Sequence, residues 1–176
     1  MPGWKAGKGR TDISKFAGHK KIIYIEAMLV STWPLENVNQ TGEKMRRLVC
    51  LYWPDLGAWL ERPFVDFYVH VCRLPYIADP PGVETVSRPA YTLNGNYGPR
   101  DCDDKAVLCA SWWHGHGRPV RFVASSTKPD KKLHHVFLQL DNGVFVDATY
   151  KKNQQFLGNY PYFSKLTKLI PLTPFF

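Results

Sequence analysis

The segment 98–150 constrains the fold most, because one helix pattern is followed there by three strand patterns. Helix-forming residues follow Asp101, which stands at the N-cap position, and Asp104 stands where a capping box places its acid. The helix is predicted to end at the glycines Gly115 and Gly117. The apolar stretches after it predict strands at 119–124, 133–140 and 144–150. This order predicts an α+β fold in which the helix packs on an antiparallel sheet.

The last two of these strands form a hairpin whose register follows from side-chain chemistry. A two-residue Asn-Gly turn would place Leu138 opposite Asp147, which buries a carboxylate against a leucine. A three-residue loop with Gly143 in the left-handed conformation instead sets Leu138 opposite Val146, and that face of the sheet is then wholly apolar. We therefore predict the three-residue loop. On the other face His135 and Asp147 become diagonal neighbours, about 7 to 8 Å apart between backbone positions.

Three residues of this segment combine a nucleophile with its activating groups. Cys102 stands at the predicted helix start, where the helix dipole and the unpaired backbone N–H groups favour the thiolate. His135 can take the thiol proton, and Asp147 can hold the imidazole in the useful tautomer. Strand alternation points His134 to the opposite face, so His134 is not a candidate. Three acidic neighbours should oppose the thiolate through their charge: Asp101, Asp103 and Asp104.

The same segment resembles the transglutaminase-like superfamily of papain-type cysteine enzymes. Its matching blocks, in the family's order, are 101–104 (D-C-D-D), 117–123 (G-R-P-V-R-F-V), 135–138 (H-V-F-L) and 146–149 (V-D-A-T). The resemblance covers 76–150, and the stretch 74–80 (L-P-Y-I-A-D-P) followed by D-C-D-D looks like a subgroup found in tailed phages and prophages. Two positions depart from the family pattern, because Arg100 replaces a glycine and Phe137 replaces a tryptophan.

The resemblance implies a papain-like, transglutaminase-like core with Cys102, His135 and Asp147 as the catalytic triad. The implied reaction is acyl transfer from an amide of a protein or peptide substrate, with no cofactor and no bound metal. We favour hydrolysis, as in a cysteine protease or amidase, because water needs no dedicated second-substrate site. Two alternatives stay open: a transglutaminase-type cross-linker, and a non-enzymatic phage structural or interaction protein that keeps the fold. The phage virion and its other structural proteins are the location and partners that this subgroup implies.

Length and charge predict one domain with a basic extension. The chain has 176 residues, 44% of them hydrophobic, so we expect a flexible basic arm over 1–20 and a single domain over 21–176. The net charge is +8, and residues 1–21 hold six basic residues against one acidic residue. We expect this arm to be solvated, with non-specific contact to an anionic polymer as the alternative. Without a membrane span or a secretion signal in the sequence, we expect no membrane contact and a cytoplasmic location at synthesis.

The part of the chain before residue 98 is divided by prolines and glycines. Helices are predicted at 43–51, ending near Pro54, and at 63–74, with a short turn or helix at 55–60. For 63–74 a buried strand is the alternative, because valine, phenylalanine and tyrosine dominate it. The other stretches are predicted to be a short buried element of undetermined type at 22–31, a loop at 34–41 and an irregular connection at 75–98.

Several other reactive or aromatic residues have ordinary explanations. We expect the remaining cysteines to be packing residues with free thiols: Cys50, Cys72 and Cys109. His114 and His116 have a spacing that could suggest a metal site, but capping or solvent exposure at a glycine-rich helix end is the simpler prediction. Trp112 and Trp113 are expected in the core, with lining of a substrate cleft as the alternative. The N–H of Cys102 is the first expected oxyanion donor. Candidates for the second donor are Asn94, Asn96 and Tyr97.

Overall fold

The computed structural model describes the backbone at 22–25, 28–34, 38–81, 83–94, 100–126, 133–149, 156–158 and 166–171. Side chains are described at 38–81, 84–94, 100–126 and 133–149. The predicted basic arm over 1–20 lies outside the described residues, and the single domain over 21–176 stays a prediction. Within the described part, no helix has the length and apolar character that crossing a bilayer requires.

The molecule combines helices with two antiparallel sheets, so the predicted α+β class is confirmed. In chain order the elements are β1 (Ile22–Ile25), β2 (Met28–Pro34), α1 (Val38–Tyr52), a 3₁₀ helix (Trp53–Glu61), α2 (Phe64–Arg73), β3 (Val83–Ser87), α3 (Pro89–Asn94), α4 (Cys102–Gly115), β4 (Val120–Ser126), β5 (His135–Leu140), β6 (Phe145–Asp147), β7 (Phe156–Gly158) and β8 (Leu166–Pro171). The first three strands form one sheet in the order β1-β2-β3, and the other five form a second sheet in the order β7-β6-β5-β4-β8.

Helix α4 lies at the centre of the packing. Residues 103–112 of this helix are all buried, so it is covered around its whole circumference. It contacts α1, the 3₁₀ helix, α2, α3, β3, β4 and β5. The fully buried core residues of these neighbours include Val49 of α1, Phe67 of α2 and Leu138 of β5. The start of α4 is therefore positioned by both the helical layer and the second sheet.

The β5–β6 hairpin has the predicted register. Leu138 pairs with Val146, and the connecting loop has three residues, 141–143. Gly143 has a φ of 84°, and its N–H donates to the Leu140 carbonyl at 3.0 Å. The apolar face of the hairpin joins the core cluster that also contains α4 residues. Burial of that face accounts for the register, because a one-residue slip would turn Asp147 into the core.

The second predicted helix is also confirmed, and its strand alternative is excluded. Helix α2 buries Phe67, Tyr68 and Val71, which follow one another at helical spacing. Pro63 stands one residue before the first helical residue, at the N-cap. The preceding short element is a 3₁₀ helix with Pro54 in its first turn. Proline positions in this part of the chain therefore predicted element boundaries to within a residue or two.

Several local predictions are wrong, and long-range pairing explains most of them. Within the predicted loop at 34–41, Pro34 instead ends β2 and residues 38–41 form the first turn of α1, whose first buried residue is Gly42 rather than a larger apolar side chain. The stretch 75–98 is not irregular, because it contains β3 and α3. Strand β3 forms by pairing with β2, as in the Trp33↔Glu84 pair, about fifty residues away along the chain. The element at 22–31 of undetermined type comprises β1 and most of β2.

The second sheet is larger than the three strands that the sequence predicted. Strands β7 and β8 add to its two edges. Strand β4 also continues beyond the predicted end at residue 124, through Ser125 and Ser126, which are fully buried. It pairs with β5 on one side and β8 on the other. Both neighbours shield these polar residues from water, a consequence of pairing that no local pattern shows.

Candidate active site at the start of α4

The first turn of α4 is held by a capping box and by its neighbours. Asp101 is the N-cap residue, and Asp104 Oδ2 accepts the Asp101 backbone N–H at 3.4 Å, as the sequence predicted. Asp104 Oδ1 accepts the Ser87 N–H of β3 at 2.6 Å. Just before the cap, Arg100 and Ile77 exchange two backbone hydrogen bonds, of 2.7 and 3.2 Å. The position of the helix start is therefore fixed by β3 and by the segment after α2.

The histidine and the aspartate predicted for the site form a buried hydrogen bond. His135 Nε2 and Asp147 Oδ2 are 2.6 Å apart, and the two residues are only 7% and 1% exposed. Asp147 Oδ1 also accepts the Thr149 N–H at 2.8 Å, which fixes the plane of the carboxylate. His134, by contrast, is exposed, and its backbone N–H donates to the Ser125 carbonyl. The alternation that separated the two histidines in the sequence is confirmed.

Cys102, the first residue of α4, lies near the strands that carry His135 and Asp147. The described β5–β6 pairing stops at Leu138↔Val146. Val136, two residues before Leu138 in β5, hydrogen-bonds the Cys102 thiol through its backbone. Val136 directly follows His135, and Asp147 is close enough for its charge to act on the thiol. The structure therefore pairs His135 with Asp147 and places the Cys102 thiol against the residue that follows His135.

The electrostatic environment of Cys102 disfavours an isolated thiolate. Burial raises the pKa of the Cys102 thiol well above its ordinary value, and the charge of Asp101 adds to this effect. The hydrogen bond from the Val136 backbone lowers the pKa, but it does not reverse the net direction. The opposition expected from Asp101 is therefore confirmed, and burial outweighs the preference of a helix start for the thiolate. A proton acceptor beside the thiol is needed instead.

The carboxylates around the cap are packed closely. Oxygens of Asp101, Asp103 and Asp104 lie within 4.8 Å of one another, and among the described residues this is the group that could hold a metal ion. Burial raises the pKa of Asp103 and of Asp104 well above the ordinary value, and Asp101 raises both further. Glu84 of β3 also hydrogen-bonds Asp103. Neutral carboxyl groups that donate hydrogen bonds to neighbouring carboxylates would satisfy the buried oxygens of this cluster.

The aromatic residues near the other end of α4 are packing residues. Trp112 is buried, its Nε1 donates to the Trp59 carbonyl at 3.0 Å, and its ring stacks on His116 at 3.8 Å between centroids. His116 Nδ1 is 2.7 Å from the Trp112 carbonyl, so His116 caps the helix as predicted. Ten residues of helix separate Trp112 from Cys102, about 15 Å. Trp112 and Trp113 therefore pack in the aromatic cluster, in line with the expectation that they are core residues.

The remaining sequence candidates divide into confirmed and undescribed ones. All four cysteines are free, and Cys109 is a core residue against which Cys72 packs. Cys50 is half-buried. Of the proposed second oxyanion donors, Asn94 is exposed at the end of α3. The other two, Asn96 and Tyr97, lie outside the described residues.

Two buried donors near Asp147 were missed in the sequence. Lys105 is 2% exposed, and its Nζ donates to the Leu74 carbonyl at 2.9 Å and to the Ala148 carbonyl at 3.3 Å. Tyr68 donates its hydroxyl to the Asp147 carbonyl at 2.7 Å. For Lys105, the sequence did offer a signal, because the lysine directly precedes a buried apolar stretch. No comparable local signal existed for the tyrosine, which occupies an ordinary core position of α2.

Comparison with known proteins adds no family assignment. No family model matches the chain, and neither a curated protein nor a solved structure matches it. The case for a site at the start of α4 rests on the hydrogen bonds, the burial and the charges described above.

Proposed function

We propose that the protein is a thiol acyl-transfer enzyme that cleaves amide bonds of a protein or peptide substrate. In this proposal its core is transglutaminase-like and papain-like, with Cys102 as the nucleophile, His135 as the base and Asp147 as the group that orients the base. The observation that carries the proposal is the buried 2.6 Å hydrogen bond between His135 and Asp147, beside the thiol at the start of α4. A nucleophile, a base and an orienting acid are the parts that acyl transfer requires.

The first half of the proposed reaction forms a thioester. His135 Nε2 is engaged with Asp147, so Nδ1 is the nitrogen that takes the thiol proton. The Cys102 sulfur attacks the substrate carbonyl carbon, and the backbone N–H of Cys102 stabilises the oxyanion that forms. The C–N bond then breaks, its electron pair stays on the leaving nitrogen, and the imidazolium returns the proton to that nitrogen.

The second half releases the acyl group. A water molecule gives a proton to His135 and attacks the thioester carbonyl. The C–S bond breaks, the product leaves as an acid, and the proton returns to the sulfur. We favour water over an amine as acceptor because water needs no second-substrate site. An amine acceptor would make the protein a cross-linking enzyme by the same steps.

The raised pKa of the thiol supports a role for His135 as an obligatory partner. Burial and Asp101 hold Cys102 in its neutral form at neutral pH. Transfer of the proton to His135 compensates for this cost, because the buried Asp147 carboxylate stabilises the resulting imidazolium. The D-C-D-D resemblance extends the proposal to a phage or prophage protein. An inert thiol would instead favour the alternative, a non-enzymatic structural protein of the phage particle.

Labelling with a thiol-directed peptide mimic tests the proposal. A peptide acyloxymethyl ketone should label the wild-type protein at Cys102, as located by peptide mapping, and should not label Cys102→Ala or His135→Ala. His134→Ala is the matched control and should be labelled like the wild type. Equal labelling of His135→Ala and wild type would refute the proposed chemistry.

A second measurement separates water from amine as the acceptor. Casein is incubated with the protein in the presence and absence of a fluorescent primary amine. Release of peptides without incorporation of the amine supports hydrolysis, and incorporation that depends on Cys102 supports a cross-linker. Labelling without either product would identify a substrate narrower than casein, which a peptide library would then define.

A further inference from the structure

A lysine is buried in the first turns of α4, where the helix is otherwise apolar or acidic. Lys105 is among the largest fully buried side chains and is 2% exposed. Burying an ammonium group is costly unless its N–H donors are satisfied. A methionine or leucine would fill the same volume at lower cost. The burial of a lysine here therefore indicates a role for the hydrogen bonds that its ammonium group donates.

Lys105 connects the segments that surround the start of α4. It lies three residues after Cys102, so both side chains are on the same side of the helix. Its Nζ donates to the Ala148 carbonyl at 3.3 Å, and Ala148 directly follows Asp147. It also donates to the Leu74 carbonyl at 2.9 Å. Leu74 begins the segment whose Ile77 pairs with Arg100, the residue before the helix cap.

The Ala148 carbonyl lies just beyond the end of β6 and accepts a hydrogen bond from a helix side chain. The described pairing of β5 with β6 stops at Val146, while Asp147 and Ala148 are 1% and 4% exposed. Buried carbonyl groups need donors. Tyr68 of α2 donates to the Asp147 carbonyl, and Lys105 of α4 donates to the Ala148 carbonyl. Two helices therefore fix consecutive peptide groups at the end of β6.

We infer that Lys105 is a positioning residue, which joins the helix of Cys102 to the backbone that carries Asp147 and so aligns Asp147 with His135. This inference rests on the proposed function, because alignment matters only if His135 and Asp147 activate the thiol. Lys105 acts through the Ala148 carbonyl.

The test is the pH dependence of carbamidomethylation at Cys102, measured by peptide mapping after timed exposure to iodoacetamide. Lys105→Met keeps the length and the apolar stem of the side chain but removes the donors. We expect labelling near pH 7 to fall about tenfold and the kinetic pKa of the thiol to rise. If Lys105 acts through Asp147, the same change in an Asp147→Asn background should cost about twofold or less.

Controls separate alignment from general loss of packing. Val107→Ala removes core volume from the same helix but no hydrogen-bond donor, and it should leave the pH profile of Cys102 unchanged while lowering the melting temperature. Tyr68→Phe removes the hydroxyl that donates to the Asp147 carbonyl, together with its hydrogen bond to Cys72, and should shift the profile in the same direction as Lys105→Met, by less. Equal slowing by Lys105→Met in the wild-type and Asp147→Asn backgrounds would overturn the inference.

The outcomes also distinguish this inference from the proposed function. If His135→Ala leaves the labelling profile unchanged, the proposed function fails, whatever Lys105 does. If His135→Ala slows labelling but Lys105→Met does not, only the positioning role fails. Should Lys105→Met not fold, Lys105→Gln, which keeps a neutral N–H donor on a shorter side chain, is measured in the same two backgrounds. An unchanged profile in folded Lys105→Gln, with Tyr68→Phe also unchanged, would overturn the inference as well.

Discussion

The two ends of α4 are built from different chemistry. At the N-terminal end, Asp103, Asp104 and Lys105 are 2%, 0% and 2% exposed, and hydrogen bonds and charge interactions dominate. At the C-terminal end, Trp112 stacks on His116 and packs against Phe64, and aromatic contacts dominate. Even the glycine at that end is fixed by packing, because a Cβ at Gly115 would lie 2.8 Å from the Trp53 ring.

This difference separates residues that stabilise the fold from residues that are expensive to bury. Aromatic stacking gains free energy from buried area and contact. Buried carboxyl and ammonium groups cost free energy unless they are paired, so their presence at one end of the helix calls for another explanation. The candidate site is at that end. Substitutions at the N-terminal end should therefore change chemistry, and those at the C-terminal end should change stability alone.

The largest effect is expected at His135. His135→Ala should lower turnover of a cleavable peptide by about 10³-fold, because the buried thiol loses its proton acceptor. His134→Ala should keep most of the activity, because that side chain points to the opposite face of β5. Initial rates of the two variants at equal protein concentration check this. A larger loss in His134→Ala than in His135→Ala would show that the site is misassigned.

Trp112→Ala tests the aromatic end of the helix. We expect a loss of about 3 to 4 kcal/mol in the free energy of unfolding, from the cavity and the lost stacking. Urea denaturation measures it, and Trp112→Phe, which keeps a ring, should lose less. The rate of Cys102 labelling should stay unchanged in the folded Trp112→Phe protein. A changed labelling rate would contradict the separation between the two ends.

Asp147→Asn should have an intermediate effect on chemistry. The asparagine can still contact His135, but it no longer stabilises the imidazolium or selects the tautomer. We expect turnover to fall by about 10- to 100-fold, between the effects of His134→Ala and His135→Ala. Steady-state kinetics with the same peptide measure it. Wild-type rates in Asp147→Asn would leave the buried pair with a structural role alone.

Asp101→Asn isolates the charge at the cap. Asparagine is an equally good N-cap, so the helix start should persist while one negative charge near the thiol is removed. Because Asp101 raises the pKa of Cys102, the variant should label about threefold faster near pH 7. The pH profile of iodoacetamide labelling checks the direction. Slower labelling in a variant with an unchanged melting temperature would contradict the assigned electrostatics.

The smallest expected effect is a pH dependence of stability that arises from Asp79. Burial raises the pKa of Asp79 from 3.8 to about 6, against the opposing hydrogen bonds from Thr85. The folded state therefore binds this proton more tightly than the unfolded state does, so its stabilising contribution is complete below pH 3.8 and is lost as the pH rises through about 6. Because Asp79 is only half-buried, we expect a loss of about 1 kcal/mol.

Urea unfolding of the wild type and of Asp79→Asn at pH 4 and at pH 7 measures this contribution. The decline in stability between the two pH values should be smaller in Asp79→Asn, because its side chain does not titrate. The difference between the two declines belongs to Asp79, since the other carboxyl groups are common to both proteins. A steeper decline in the variant would show that the sign is wrong.

Much of the candidate site could be predicted because its geometry is set locally. The hairpin that carries His135 and Asp147 has a loop of three residues, so the burial of its apolar face determined the register. The cap at Asp101 and the start of α4 followed from residues adjacent in the chain. The α2 helix was predictable for the same reason, since its buried residues repeat within ten positions.

The parts that could not be predicted depend on distant partners. Strand β3 pairs with β2, and β8 pairs with β4, across long separations in the chain. The bonds of Lys105 and Tyr68 to the end of β6 join residues 43 and 79 positions apart. No window of sequence contains both members of such a contact, so no periodicity can indicate it.

By itself, the sequence determined which residues could carry chemistry and on which face of a strand each would lie, because strand alternation and helix capping are local consequences of backbone geometry. Only the tertiary structure decided the environment of those residues. Packing of α4 against the surrounding helices and both sheets placed the half-buried Cys102 near carboxyl groups and raised the pKa of its thiol, against the local preference of a helix start. Burial and charge depend on every element that surrounds a group, and these elements come together only when the chain folds.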